Sequence, residues 1–147
     1  MKFLFLTQQF YSDYMHCTEI EKKINRPYIM FKVTIDEIDY AVPLRSNINH
    51  KYVYWTDKEN NCGLDFSKTV IITDSNYIDT STNPYIRPNE FKTLKGKQHI
   101  IKKKLSKYIK DYKKALQHLE AKHNETLCNY STLQYFHTEL GIKDRQP

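Results

Sequence analysis

The sequence predicts an α+β fold: a mainly antiparallel, twisted sheet with a long basic helix and a short C-terminal helix packed on it. Three observations carry that prediction. Between Ile29 and Leu44, apolar and polar residues alternate with period two on either side of Asp36-Glu37, the pattern of a half-buried hairpin. Two further β-rich runs, 52–56 and 69–73, follow. From about Gly96 the period becomes helical: Ile101, Leu105, Tyr108, Ile109, Tyr112, Ala115, Leu116 and Leu119 form an apolar stripe, and lysines fill the opposite face.

The elements follow in order. Residues 3–6 read as a strand, because the apolar run is too short for a secretion signal or a membrane span and two glutamines follow at once. Residues 8–16 suit a short helix with Phe10, Tyr14 and Tyr11 turned inward. Residues 18–26 are polar and mixed in charge, a connection. Pro27 favours extended chain before it and leads into the first hairpin strand, with Ile29, Phe31, Val33 and Ile35 on one face. Asp36-Glu37 supplies the turn, and Ile38, Tyr40, Val42 and Leu44 resume the alternation. Pro43 lacks a ladder donor, so it is expected near an edge or strand end, with the chain leaving the sheet from Arg45 onward. Residues 57–63 are rich in turn formers, and 74–89 read as a long loop with one short strand. The basic helix is expected to break over 122–125. Ser131 is placed to cap a last helix in which Leu133, Phe136 and Leu140 are buried and Gly141 ends the run.

With 147 residues, 39% hydrophobic and 27% charged, the chain is long enough for one domain spanning 1–147 with a real core. Cys17, Cys62 and Cys128 are odd in number and far apart, which argues against a disulfide framework or a zinc site and for a reducing cytoplasm. The net charge of +6 is uneven: nine lysines lie between Lys97 and Lys122 against Asp111 and Glu120. That segment reads as a polyanion-binding face, with Lys103, Lys107, Lys110 and Lys114 as contacts. Tyrosines such as Tyr11 and Tyr28 combine an apolar ring with a polar tip and suit an RNA-binding surface.

Chemistry concentrates in 45–51, where Arg45, Ser46, Asn47, Asn49, His50 and Lys51 follow one another with no carboxylate. RNA can be cut without a metal by its own 2′-OH, given a base, a cation for the charging phosphate and an acid for the leaving oxygen. Arg45 and Ser46 are read as phosphate ligands, His50 as the proton handler and Lys51 as an assisting cation; either His50 or Lys51 can be the base. On composition alone the stretch is equally an ordinary polar loop. Arg87 and Asn89, flanking Pro88, are further candidates for backbone or base contact, or else part of a rigid connector. His99, His118, His123 and His137 lack ligand spacing and read as surface or capping residues. No cofactor or metal is expected.

The blocks PLRSNINHK (43–51), DKENNCGLDFSK (57–68), YIDTSTNPYIRPNEF (77–91), the lysine helix and LCNYSTLQYFHTELG (127–141) resemble the toxins of TenpIN-type type III toxin–antitoxin systems, over nearly the whole chain. A more distant similarity links them to the ToxN, AbiQ and CptN toxins. The resemblance implies a Kid/MazF-like sheet and metal-independent endoribonuclease activity leaving a 2′,3′-cyclic phosphate and a 5′-hydroxyl. It implies as partners cellular and phage RNA substrates and an inhibitory small RNA antitoxin, repeat-derived and pseudoknotted, closing with the toxin into cyclic hetero-oligomers. It also implies a role in abortive phage defence, with no membrane association. The distant relatives carry Pro-Leu-Thr-Ser-Pro-Lys after the hairpin; here Pro43, Leu44 and Ser46 match, Arg45 replaces the threonine, and Ile48 stands where the lysine would be. A non-catalytic RNA-binding translational repressor is the rival reading. A DNA-binding regulator is weaker, because no helix-turn-helix pattern is present.

Overall fold

The computed structural model describes residues 2–20 and 27–143. Its elements are β1 (Phe3–Leu6), α1 (Gln8–Asp13), β2 (Met30–Ile35), β3 (Ile38–Arg45), β4 (Val53–Asp57), β5 (Cys62–Asp65), β6 (Val70–Ile71), β7 (Ile78–Asp79), α2 (Pro88–Leu94), α3 (Gln98–Leu116) and α4 (Lys122–Tyr130). The architecture is α+β. The described residues form a seven-stranded sheet in the order β4-β5-β3-β2-β1-β7, with β6 also paired to β3, and the observed pairings are antiparallel.

The β2–β3 hairpin is the centre of this sheet, and its turn is as tight as the pattern implied. Ile35 faces Ile38, and Asp36 and Glu37 both adopt positive φ, 51° and 68°, the twist that matches two antiparallel strands. The alternation is less clean than the sequence suggests. Met30 and Phe31 are both buried, because β2 lies between β1 and β3 and its sheet is covered by α3. The apolar stripe of α3 supplies that cover: Ile101, Leu105, Tyr108, Ile109, Tyr112 and Ala115 are all buried. Phe10 of α1, fully buried, packs against Tyr14 and Tyr77, and Thr7 caps that helix by accepting from the Phe10 N–H.

Several expectations are corrected. The chain does not leave the sheet at Arg45: Leu44 and Arg45 pair with Leu64 and Gly63 of β5. Pro43 is tolerated inside a central strand because alternation turns its nitrogen away from β2. Leu44 N–H donates to the Ile29 carbonyl on the β2 side, so Pro43 faces the gap between β6, paired at Tyr40 and Ala41, and β5, paired at Leu44 and Arg45. The turn-rich 57–63 run contains the start of a strand, β5. Pro88 and Asn89 open the helix α2 rather than fixing a loop, Pro88 sitting in the first turn where no N–H is needed. Leu119 is 38% exposed beyond the end of α3. The expected break at 122–125 is instead the start of α4, and the segment after Ser131 is a 3₁₀ turn (Thr132–Tyr135). Ser131 does cap that turn, accepting from Leu133 N–H, and Leu133, Phe136 and Leu140 are buried as expected. The short helix at the N-terminus also ends at Asp13 rather than His16. The connection predicted over 18–26 lies largely outside the described residues.

Cys17, Cys62 and Cys128 are buried thiols. No helix among the described residues is long and apolar enough to cross a membrane.

Candidate functional site

Beyond β3 the chain makes a short, well-anchored loop. Asn47 takes a left-handed conformation at φ 57°, which asparagine tolerates better than most residues. Ile48 is buried, and its N–H donates to the Asn61 carbonyl at 3.0 Å. Ile48 is therefore the loop's anchor. Ser46, Asn47 and Asn49 around it are exposed.

Sequence reasoning did not single out the carboxylate that organises this region. Asp65, at the end of β5, is fully buried and accepts four hydrogen bonds. Arg45 Nη1 lies 2.5 Å from Oδ2, and Oδ1 receives His50 Nε2 at 3.0 Å, Ser67 N–H at 3.0 Å and Ser67 Oγ at 2.6 Å. Burial pushes the Asp65 pKa up, but the bonds from His50, Ser67 and Arg45 outweigh it and hold the carboxyl below its ordinary value. The sequence did contain one clue: an acid set among apolar neighbours, Gly63-Leu64-Asp65-Phe66, which leaves a charged side chain facing inward unless it is paired.

This knot changes what Arg45 and His50 can do. The Tyr52 N–H donates to His50 Nδ1 at 3.0 Å, so Nδ1 carries no hydrogen and Nε2 carries one, directed at Asp65 and Ser67 Oγ. Both ring nitrogens are thus engaged within the protein. Ser67, His50 and Asp65 do not form a nucleophilic triad either. Serine and carboxylate share the same nitrogen, and no lone pair remains to take the serine proton. In this arrangement both ring nitrogens of His50 and Nη1 of Arg45 are held within the protein, and through Asp65 the two side chains fix the loop.

Lys51 is different. It is exposed and opens a groove of about 510 Å³ between the 51–53 segment, α3 and the start of α4. One wall is the α3 stripe Lys104, Lys107, Asp111 and Lys114, residues spaced three and four apart and therefore on one face. The floor is Tyr52, Val53, Phe66, Tyr108, Ala115 and Leu127, and His118, His123 and Asn124 close the far end. Tyr52 lies edge-on to Tyr108 at 5.5 Å, with Lys51 Nζ 5.5 Å above its ring. Tyr108 is pinned from below by donating to Ser131 Oγ at 2.7 Å. The groove can grip phosphates at its rim and take an apolar or aromatic group on its floor.

Of the predicted contacts, Lys51, Lys107 and Lys114 meet in this groove. Lys103 and Lys110 line a neighbouring cleft of about 390 Å³ that shares Lys107 and extends to His99 and Lys102. Asn89 lies on α2, which packs on β4, and Arg87 immediately precedes that helix; neither lines these clefts, and Arg87 sits 3.8 Å from Glu90. Tyr11 lines none of these clefts. Its ring packs on Phe10, and its buried hydroxyl has no hydrogen-bond partner among the described residues. Burial, and secondarily Tyr28, push its pKa up to about 12. Tyr28 is half-buried against the same core. Lys104, Tyr52, His118 and His123 were not singled out as contacts; a helical-wheel reading from Lys107 would have found Lys104. Among the described residues no group of three or more His, Cys, Asp or Glu side chains could hold a metal ion.

No family model, curated protein or solved structure matches this chain.

Proposed function

We propose that the chain is the RNA-cleaving toxin of a type III toxin–antitoxin pair, a metal-independent endoribonuclease with a Kid/MazF-like sheet. It acts in the cytoplasm, is held inactive by a small repeat-derived RNA in a cyclic assembly, and serves in abortive phage defence. The observation that carries this reading is the convergence of two segments far apart in sequence. Lys51, from the loop after the hairpin, and Lys104, Lys107 and Lys114, from α3, face one groove whose single acid is Asp111. Cations collected around a concave, aromatic-floored surface suit a single-stranded polyanion with unstacked bases. In the proposed reaction the lysines hold the non-bridging oxygens of the scissile phosphate while O2′ attacks phosphorus and O5′ leaves. Arg45, His50 and Asp65 keep the Lys51 loop in place.

A second reading, a non-catalytic RNA-binding repressor, is favoured by the engagement of both His50 nitrogens. One assay separates the two. The full chain is incubated with cellular RNA in EDTA and the ends are characterised. Cyclic-phosphate and 5′-hydroxyl ends, abolished by 2′-deoxy substitution at the cut site, are expected; intact RNA that is bound but uncut leaves the repressor.

A further inference from the structure

The proposed reaction needs a base and an acid, and the residue picked for that task from the sequence has no nitrogen to offer. Two of the six histidines, His118 and His123, line the same groove as Lys51. Resting on the endoribonuclease reading above, we infer that His118 and His123 are its proton-transfer pair.

Their placement is built rather than incidental. His118 follows the last turn of α3 and His123 lies in the first turn of α4. The connection between them is tied down at one carbonyl, His118 O, which accepts from Ala121 N–H at 3.3 Å and from Asn124 Nδ2 at 2.9 Å. Asn124 N–H in turn donates to Ala121 O at 3.1 Å. Both imidazoles are therefore presented from a fixed turn. His118 Nδ1 lies 3.5 Å from Glu120 Oε1, with both side chains more than half exposed. No described residue hydrogen-bonds to Nε2 of His118 or to either nitrogen of His123, the opposite of His50.

Lys114 lies four residues before His118, Glu120 sits beside it in the turn, Lys122 pairs with Glu125 at 3.5 Å on α4, and Lys51, Lys104, Lys107 and Asp111 line the rest of the groove. Asp111 is itself bound by Lys107 at 2.8 Å, and the groove's lysines can hold the charge of the reacting phosphate.

The step balances within the groove. One neutral imidazole takes the 2′-OH proton as the O2′–P bond forms; the other, protonated, gives its proton to O5′ as the P–O5′ bond breaks. The products are a 2′,3′-cyclic phosphate and a 5′-hydroxyl, and proton exchange with water restores both rings. No co-reactant is needed.

The test uses the full chain, a short labelled RNA and EDTA, with single-turnover rates measured across pH 5–9 for the unaltered protein, His118→Ala and His123→Ala. Binding is measured separately on a 2′-deoxy analogue. Each substitution is expected to slow cleavage about 10²–10⁴-fold, to remove one limb of a bell-shaped pH profile, and to leave analogue affinity close to that of the unaltered chain. Free imidazole in the medium should restore part of the rate, an effect that a purely structural role would not produce. Rates unchanged in both variants, or losses matched by lost affinity, would overturn the assignment while leaving the endoribonuclease reading intact. Absence of cleavage by the unaltered protein would overturn both.

Discussion

Replacing Asp65 with alanine should lower the stability of the whole domain, although the residue lies at the end of a four-residue strand. The substitution removes an acceptor with no solvent exposure that satisfies Arg45, His50 and two donors of Ser67. Removing one partner of a buried ion pair costs about 3–5 kcal/mol. Arg45 is still 20% exposed and Ser67 Oγ can rotate, so the lower end, about 3 kcal/mol, applies. For a chain of 147 residues that corresponds to a Tm lower by about 6–12 °C. The pH dependence follows from the depressed pKa of Asp65. A carboxylate whose folded value lies below its unfolded value of about 3.9 stabilises the fold above that pH, and the contribution is lost as pH falls through the folded value. The gap between the two proteins should therefore be constant near neutrality and narrow below about pH 4. Circular-dichroism melts from pH 3 to 8 measure it. A gap within error at pH 7, or one that widens on acidification, would refute the account of the knot. The double variant Arg45→Met/Asp65→Leu should cost less than Asp65→Ala alone, because no unpaired charge remains.

Gly63→Ala should destabilise β4–β5 by at least about 1–3 kcal/mol in urea titration, since a Cβ there would lie 2.4 Å from Tyr54 O and 2.8 Å from Val53 Cγ2. Both turn residues of the hairpin sit at positive φ, so Asp36→Asn with Glu37→Gly should raise stability by about 1 kcal/mol, read from the same titration. Lys114→Ala should lower by about 0.7 the slope of log affinity for single-stranded RNA against log salt, whereas Lys92→Ala, on α2, should leave it unchanged; equal slopes for both would remove α3 from the RNA path.

Much of the frame was legible because it depends on short-range periodicity. The hairpin and α3 each impose a repeat on their residues, and both stand where the pattern places them. What escaped depends on distant partners. Cys62–Asp65 is too short to show a period, and it becomes a strand because β3 and β4 flank it on both sides. The start of α4, Lys122-His123-Asn124-Glu125, has no apolar stripe; only Leu127 and Cys128 of that helix are buried, so packing on α3 rather than pattern holds it. Asp65 escaped for a related reason. Its importance lies in where Arg45, His50 and Ser67 arrive, 20, 15 and 2 residues away in sequence.

The same partners reverse the ranking of the cations. From residue types alone Arg45 and His50 are the richest chemistry in the chain, and the lysines are a supporting polyanion-binding face. Folding places the first pair against Asp65 and leaves Lys51 and the α3 lysines around a groove in which Asp111 is the only acid among the described residues. Like charges on one helix face oppose folding by a few tenths of a kcal/mol per pair, roughly 0.2–0.5. Salt screens them only beyond about 8 Å at physiological ionic strength. A fold selected for stability alone would interleave acids there, as it does at Arg45. An arrangement that pairs Arg45 with a buried carboxylate and leaves four lysines around Asp111 makes sense if a polyanion completes the groove, as the proposed function has it.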